Sequence, residues 1–206
     1  YQIFSIGPQL CDAKVWQYPL LEENNFLPIL SKIPEDVAKQ AKYMVVSYPA
    51  NPICRTAPES FYRELIAFAK KYNIIILHDN AYSDIIYGGK VGKSFLAFEG
   101  AKEVGVEFYS LSKSYNYTGA RMSFVVGNQA IIDRFKCVRS QIDYGIFLPV
   151  QYGAVAALTG PQDAVKAQCE EYDRRNHALS EGLTSIGWRV PLSQGTMFSW
   201  APIPNG

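Results

Sequence analysis

Little in this chain points to a membrane, a metal or a nucleic acid. No apolar stretch reaches the ~20 residues needed to span a bilayer. No secretory leader pattern opens the sequence, so a cytoplasmic setting is expected. Its 206 residues include two histidines and four cysteines. His78 and His177 form no cluster, and Cys11, Cys54, Cys137 and Cys169 are scattered without metal-ligand spacing. They read as free thiols of a reducing compartment, with no metal expected. The formal net charge is +1, with no basic run. That argues against nucleic acid or an anionic membrane surface as partner. Repeats and low-complexity segments are absent too. What is present is an ordinary globular composition, 48% hydrophobic and 19% charged, enough for one sizeable core.

Three apolar runs end in polar residues. Lys42-Tyr43-Met44-Val45-Val46-Ser47 leads into Tyr48-Pro49-Ala50-Asn51-Pro52. Asn73-Ile74-Ile75-Ile76-Leu77-His78 ends at Asp79, with Asn80-Ala81-Tyr82 following. Val106-Glu107-Phe108-Tyr109 ends in Ser110-Leu111-Ser112-Lys113. Unbroken apolar runs predict strands buried on both faces of a parallel sheet covered by helices. Ligands bind at the carboxyl ends of such strands. Two hydroxyls with Arg121 close by describe a phosphate site, and an amine beside it describes a Schiff-base nucleophile. Together they suggest a phosphate-bearing aldehyde, pyridoxal phosphate. Each residue also has a plainer reading. Lys113 could be a solvated charge, Asp79 a helix cap, and Asn51-Pro52 an ordinary turn. His78 should face away from Asp79 and pack in the interior.

In order and spacing these motifs, with Gly119-Ala120-Arg121, resemble those of the fold-type I pyridoxal-phosphate enzymes of the class I/II aminotransferase family. Within it the chain is similar to the aspartate aminotransferase-like and LL-diaminopimelate aminotransferase-like branch, over nearly its whole length. Ala50 stands where that family usually has a polar residue, and Ile53-Cys54-Arg55-Thr56 replaces its usual Thr-Gly. The resemblance implies an α/β large domain with a mainly parallel sheet flanked by helices, and the start of a smaller α+β domain. It implies pyridoxal 5'-phosphate as cofactor and transamination between an amino acid and a 2-oxo acid. Lys113 would be the catalytic Schiff-base lysine. Asp79 would pair with the ring nitrogen. Asn51 and Tyr82 would meet the ring oxygen, with Asn51 also near the substrate carboxylate. Ser110, Ser112 and Arg121 would hold the phosphate. The same motifs would serve a β-elimination, a decarboxylation, or an aminotransferase-like sensor domain of a transcriptional regulator. The family assembles as homodimers. The apolar stretch Tyr144-Gly145-Ile146-Phe147-Leu148, around a helix break, supplies a surface in need of cover.

Along the chain, the pattern predicts a helix over 1–10, a short strand over Ala13–Tyr18, a loop from Leu20 to Lys32, and a helix over Pro34–Ala41. Thr56-Ala57-Pro58-Glu59 looks like a capping box opening a helix whose Phe61, Leu65, Phe68 and Tyr72 face the core. Met122–Val126 should continue the sheet. Asn128 should cap a helix to about Ile142, Pro149 should open another, and a long charged helix should run from Gln162 to Ile186. Trp188–Val190 and Thr196–Ala201 look like first strands of the small domain. The expected division is 1–170, the large cofactor-binding domain, and 171–206, the connecting helix and start of the small one. By this comparison both ends are incomplete, and the family's substrate-carboxylate arginine and ring-stacking aromatic match no residue here.

Overall fold

A computed structural model describes residues 1–90 and 92–204. In chain order the helices are α1 (Ile3–Gln9), α2 (Glu35–Gln40), α3 (Glu59–Tyr72), α4 (Ala101–Val104), α5 (Leu111–Ser114), α6 (Gln129–Arg139), α7 (Leu148–Thr159) and α8 (Asp163–Ser185). The strands are β1 (Tyr43–Ser47), β2 (Ile75–Asp79), β3 (Gly105–Ser110) and β4 (Ser123–Gly127). They lie in the order β1-β2-β3-β4. The first three are parallel, and β4 returns antiparallel to β3. The sheet is therefore mainly parallel, and α3 makes the β1–α3–β2 crossover that parallel pairing requires.

Helix α3 is amphipathic and buries Phe61, Tyr62, Leu65, Ile66 and Ala69 against one face of the sheet. Met44, Val46 and Ile76 meet it there, with Phe95 and Phe98 closing the layer. Leu65, Ile76 and Phe95 are fully buried. Truncating one such residue to alanine typically costs about 2–5 kcal/mol, the lost transfer energy plus the cavity left behind. Left-handed Asn73 ends α3, its N–H bonding Ala69 O, and the chain turns directly into β2.

Several sequence expectations need correction. Burial along β1 and β2 alternates, so only the α3 face is sealed and the other is half-buried. Ala13–Tyr18 forms no strand and joins no sheet; Tyr18 instead donates its hydroxyl to Val45 O. The 20–32 loop contains two single 3-10 turns, Glu22–Asn24 and Leu30–Lys32. The capping box does not form, because Pro58 occupies the N-cap position. Thr56 is drawn away: its N–H and Oγ1 both donate to Gln194 Oε1, at 2.9 and 3.0 Å. Trp188–Val190 and Thr196–Ala201 are not strands. Among the described residues, pairing there is one antiparallel bridge, Ile86 with Gly195, flanked by the Tyr87 N–H to Gln194 O and Thr196 N–H to Ile85 O bonds, too short to make a strand.

Other local readings hold. Pro34 precedes α2, and Pro149 sits in the first turn of α7. Asn128 caps α6, its Oδ1 accepting from Ile131 N at 3.2 Å. Helix α6 ends at Arg139, short of Ile142, and buries none of its residues.

Candidate active site

The open ends of β1, β2 and β3 carry the residues that the motifs singled out. Asp79 is the last residue of β2 and pairs in register with Ser47 of β1 and Phe108 of β3. Its Oδ1 accepts from Ala81 N at 3.1 Å. The capping role is therefore partly real: the carboxylate steadies the turn after the strand. Among the described residues no protein group donates to its Oδ2. Burial pushes the Asp79 carboxyl above the usual carboxylate range, opposed by the Ala81 N–H and the nearby His78 and Lys113. Asp79 is thus poised to accept from a cationic donor.

Tyr82 is buried, and Asn51 Nδ2 donates to its hydroxyl at 3.3 Å. Burial pushes that hydroxyl up to about 12, against the pull of the Asn51 hydrogen bond. Phe198 supports the Tyr82 ring edge-on at 5.8 Å. The turn after β1 places Asn51 here, with cis peptide bonds before Pro49 and Pro52.

Lys113 is not on the strand itself. β3 stops at Ser110, whose Oγ accepts from Ser112 N at 3.2 Å and opens the single turn α5. Lys113 lies in that turn, half-buried, close enough to Asp79 to oppose part of the rise of its carboxyl. Gln168 of α8 donates to Lys113 O at 2.7 Å, and Thr118 Oγ1 donates to Ser112 O at 2.9 Å. The distant helix α8 and the adjoining turn thus fix the backbone that carries the amine.

Pairing of Ser110 with Ser123 brings β4 back to the same mouth, and Arg121 lies two residues before it. Arg121 is exposed and left-handed, with φ 58°, and its Nη1 donates to Thr118 O at 3.1 Å. The structure therefore joins Asn51 to Tyr82 and Ser110 to Ser112, and brings Lys113 near Asp79. Arg121 is brought to the same end of the sheet, but no hydrogen bond links it to either serine.

Sequence reasoning passed over three features. Ser114, buried in the turn that holds Lys113, has an Oγ without a hydrogen-bond partner among the described residues. Gly153 of α7 lies against Tyr117, so a Cβ there would stand 2.3 Å from its hydroxyl. Glu107 is fully buried in β3. The first two carry no sequence signal, whereas a lone carboxylate inside an apolar strand is one.

Comparison with known proteins bears on all of this. The chain matches the family model Aminotransferase class I and II over residues 1–206. It is 47% identical to an LL-diaminopimelate aminotransferase of Halothermothrix orenii, covering 100% of this chain and 53% of the relative. It is 44% identical to an LL-diaminopimelate aminotransferase of Dehalococcoides mccartyi, with the same coverage. Among solved structures, substrate-bound BacF from Bacillus subtilis matches with a TM-score of 0.96 at 36% identity, covering 100% of this chain and 52% of that one. A probable N-succinyldiaminopimelate aminotransferase from Thermus thermophilus matches at 0.92 and 32% identity, covering 100% and 55%. The chain spans about half the length of the curated relatives it matches.

Proposed function

This chain belongs to the class I and II aminotransferase family, and from that premise we propose that it carries the cofactor lysine of a pyridoxal-phosphate-dependent aminotransferase. The observation that carries the reading is the convergence at one sheet end. An under-coordinated carboxylate, an amide-tyrosine pair, a half-buried lysine and a serine-rich turn with an arginine meet there. This donor set fits the group: a carboxylate for a pyridinium N–H, a hydroxyl and an amide for a ring oxygen, and hydroxyls with a guanidinium for a phosphate. When bound, the cofactor withdraws electrons from the substrate α-carbon.

The protein's part is to hold and to move protons. Lys113 Nζ would be the amine that meets the cofactor's aldehyde carbon, and it would take and return the proton at the substrate α-carbon. Asp79, with one oxygen left without a protein donor among the described residues, would pair with the ring nitrogen and favour a proton there. Tyr82 and Asn51 orient the ring, and Asn51 also reaches the substrate carboxylate. Ser110, Ser112 and Arg121 anchor the phosphate. Arg121 needs only to exchange the Thr118 carbonyl for phosphate oxygens, a stronger charge-assisted partner.

We assign LL-diaminopimelate as the amino donor, with a 2-oxo acid as acceptor, because the relatives at 40–47% identity carry that name. Residues 1–170 form the cofactor-binding part, and 171–206 lead into a second, smaller one. The free cysteines suit the cytoplasm. The working unit is a homodimer. Tyr144 and Phe147 are largely exposed before α7, and Tyr152 and Val155 extend the apolar surface along that helix. Charged substitutions at Phe147 and Leu148 should lower dimer content and activity together; a fully active monomer would contradict the assembly.

Borohydride reduction of the full-length protein loaded with cofactor, followed by peptide mapping, tests the core of the reading. The pyridoxyl adduct should fall on Lys113. An adduct on another lysine would sink the assignment. Single-turnover absorbance with LL-diaminopimelate, against aspartate, then tests the substrate.

A further inference from the structure

Behind Asp79, on the face of the sheet that α3 seals, lies a carboxylate that the proposed chemistry does not use. Glu107 is fully buried, and five donors converge on it. His78 Nδ1 at 2.9 Å, Asn80 Nδ2 at 2.8 Å and Phe95 N at 3.1 Å meet its Oε1. Ser94 Oγ and the Tyr109 hydroxyl, the latter at 2.8 Å, meet its Oε2. His78 also faces the Tyr62 hydroxyl through Nε2 at 3.3 Å and packs against the Tyr62 and Phe95 rings.

Two of those donors are the chain neighbours of Asp79. Successive residues of an extended chain point to opposite faces. His78 and Asn80 therefore point away from the mouth, and Asp79 points into it. Both neighbours end on the same oxygen of Glu107. One buried atom grips β2 immediately before and immediately after the residue that meets the ring nitrogen. The Asn80 N–H, bonded to Phe108 O at 2.9 Å, extends the grip past the last ladder pair.

We infer that Glu107 is a positioning residue, which fixes the depth and direction of Asp79 toward the cofactor's ring nitrogen through His78 and Asn80. The inference rests on the reading that Asp79 meets that nitrogen. Its physical reason is tolerance. A hydrogen bond between charged partners weakens steeply with misplacement, and working groups need support to within about half an ångström. Asp79 is the last residue of the strand, and the turn that follows would otherwise let it drift. A carboxylate behind the sheet, anchored also by Ser94 and Phe95, removes that freedom.

The test uses the full-length enzyme loaded with cofactor labelled with 15N at the ring nitrogen. The nitrogen chemical shift reports directly whether a proton is held there, which a loss of stability alone does not move. In Glu107→Gln, which keeps the shape but loses the charge and part of the acceptor capacity, the signal should move toward unprotonated pyridine. kcat should fall about tenfold to a hundredfold, with KM for the amino acid nearly unchanged, as expected for misplacement of a reacting group. A wild-type nitrogen signal with only a lowered melting temperature would overturn the inference. Should Glu107→Gln not fold, Asn80→Ala cuts one of the two tethers, and a smaller shift in the same direction is expected. A wild-type signal there overturns the inference equally. Asp79→Ala serves as the reference. If its nitrogen remains protonated, the assignment of Asp79 itself fails and takes the positioning role with it.

Discussion

The two faces of the sheet each present one carboxylate, and the two are treated in opposite ways. Glu107 lies on the sealed face. Burial works to raise its pKa, but the bonds from His78, Ser94 and Tyr109 overrule it and hold the carboxyl down to about 2. Asp79 lies on the half-open face with one protein donor, and burial wins, pushing its carboxyl up. They sit on neighbouring strands, on adjoining register pairs. Saturation is what separates them. A carboxylate whose lone pairs are all taken is part of the frame. One left with an oxygen free, buried enough to feel the loss of water, is available to a ligand. Burial alone would have ranked them the wrong way round.

The largest effect should come from breaking the open face. Asp79→Ala in the full-length enzyme should retain some cofactor but lose turnover roughly a thousandfold, about 4 kcal/mol of barrier. Steady-state kinetics under saturating pyridoxal phosphate, with LL-diaminopimelate, measures it. Asp79→Glu should keep part of the activity because the charge remains. Near wild-type turnover in Asp79→Ala would reduce Asp79 to the turn cap that its Ala81 contact also makes it.

The open face was more legible in the sequence than the sealed one. Asn51, Asp79 and Ser110 follow apolar runs, and strand ends mark themselves because the run stops there. His78 was placed in the interior by alternation alone, and it is there. The network around Glu107 could not be read the same way. Its partners come from β2, from the Ser94–Phe95 turn and from Tyr109, up to 29 residues away, and no local pattern encodes that meeting. The failed capping box has the same cause. Thr56 looks local, but its partner Gln194 is 138 residues downstream. Ala13–Tyr18 and Trp188–Val190 have strand-like composition, yet a strand also needs a neighbour to pair with. The expectation of two fully buried faces came from unbroken apolar runs, which do not distinguish a sealed face from a half-covered one.

Acid should break the sealed face next. The Glu107 carboxyl is lower in the folded protein than its ordinary value near 4.5. A lowered acid contributes stability that is fully present above the ordinary value and is lost as pH falls through the folded one. The contribution, up to about 3 kcal/mol at neutral pH, should therefore fade between about pH 4.5 and pH 2. Denaturant unfolding of wild type and Glu107→Gln across that range measures it. The stability gap between them should narrow as the pH drops. A gap that stays constant would mean that the charge on Glu107 contributes nothing, and that shape alone sets its worth.

The smallest effect should sharpen the comparison most, because it reverses sign. The Asp79 carboxyl is raised on folding, so the folded state disfavours its charge. A raised acid contributes stability at low pH that is lost as pH climbs through the folded value. At neutral pH the ionised Asp79 is then a cost borne by the cofactor-free protein. Asp79→Asn, nearly the same shape without the charge, should raise the melting temperature of the cofactor-free, full-length protein by a degree or two at pH 7. The gain should fade as the pH falls through the raised folded value and the wild-type carboxyl takes up its proton. Glu107→Gln should move the same measurement the other way, downward at pH 7. Calorimetry of the three proteins at pH 7 and down an acid series decides it. Opposite signs at pH 7 would mean that the fold spends stability on the open face and recovers it on the sealed one. Equal signs would mean that the difference in hydrogen-bond saturation between the two carboxylates has no energetic consequence.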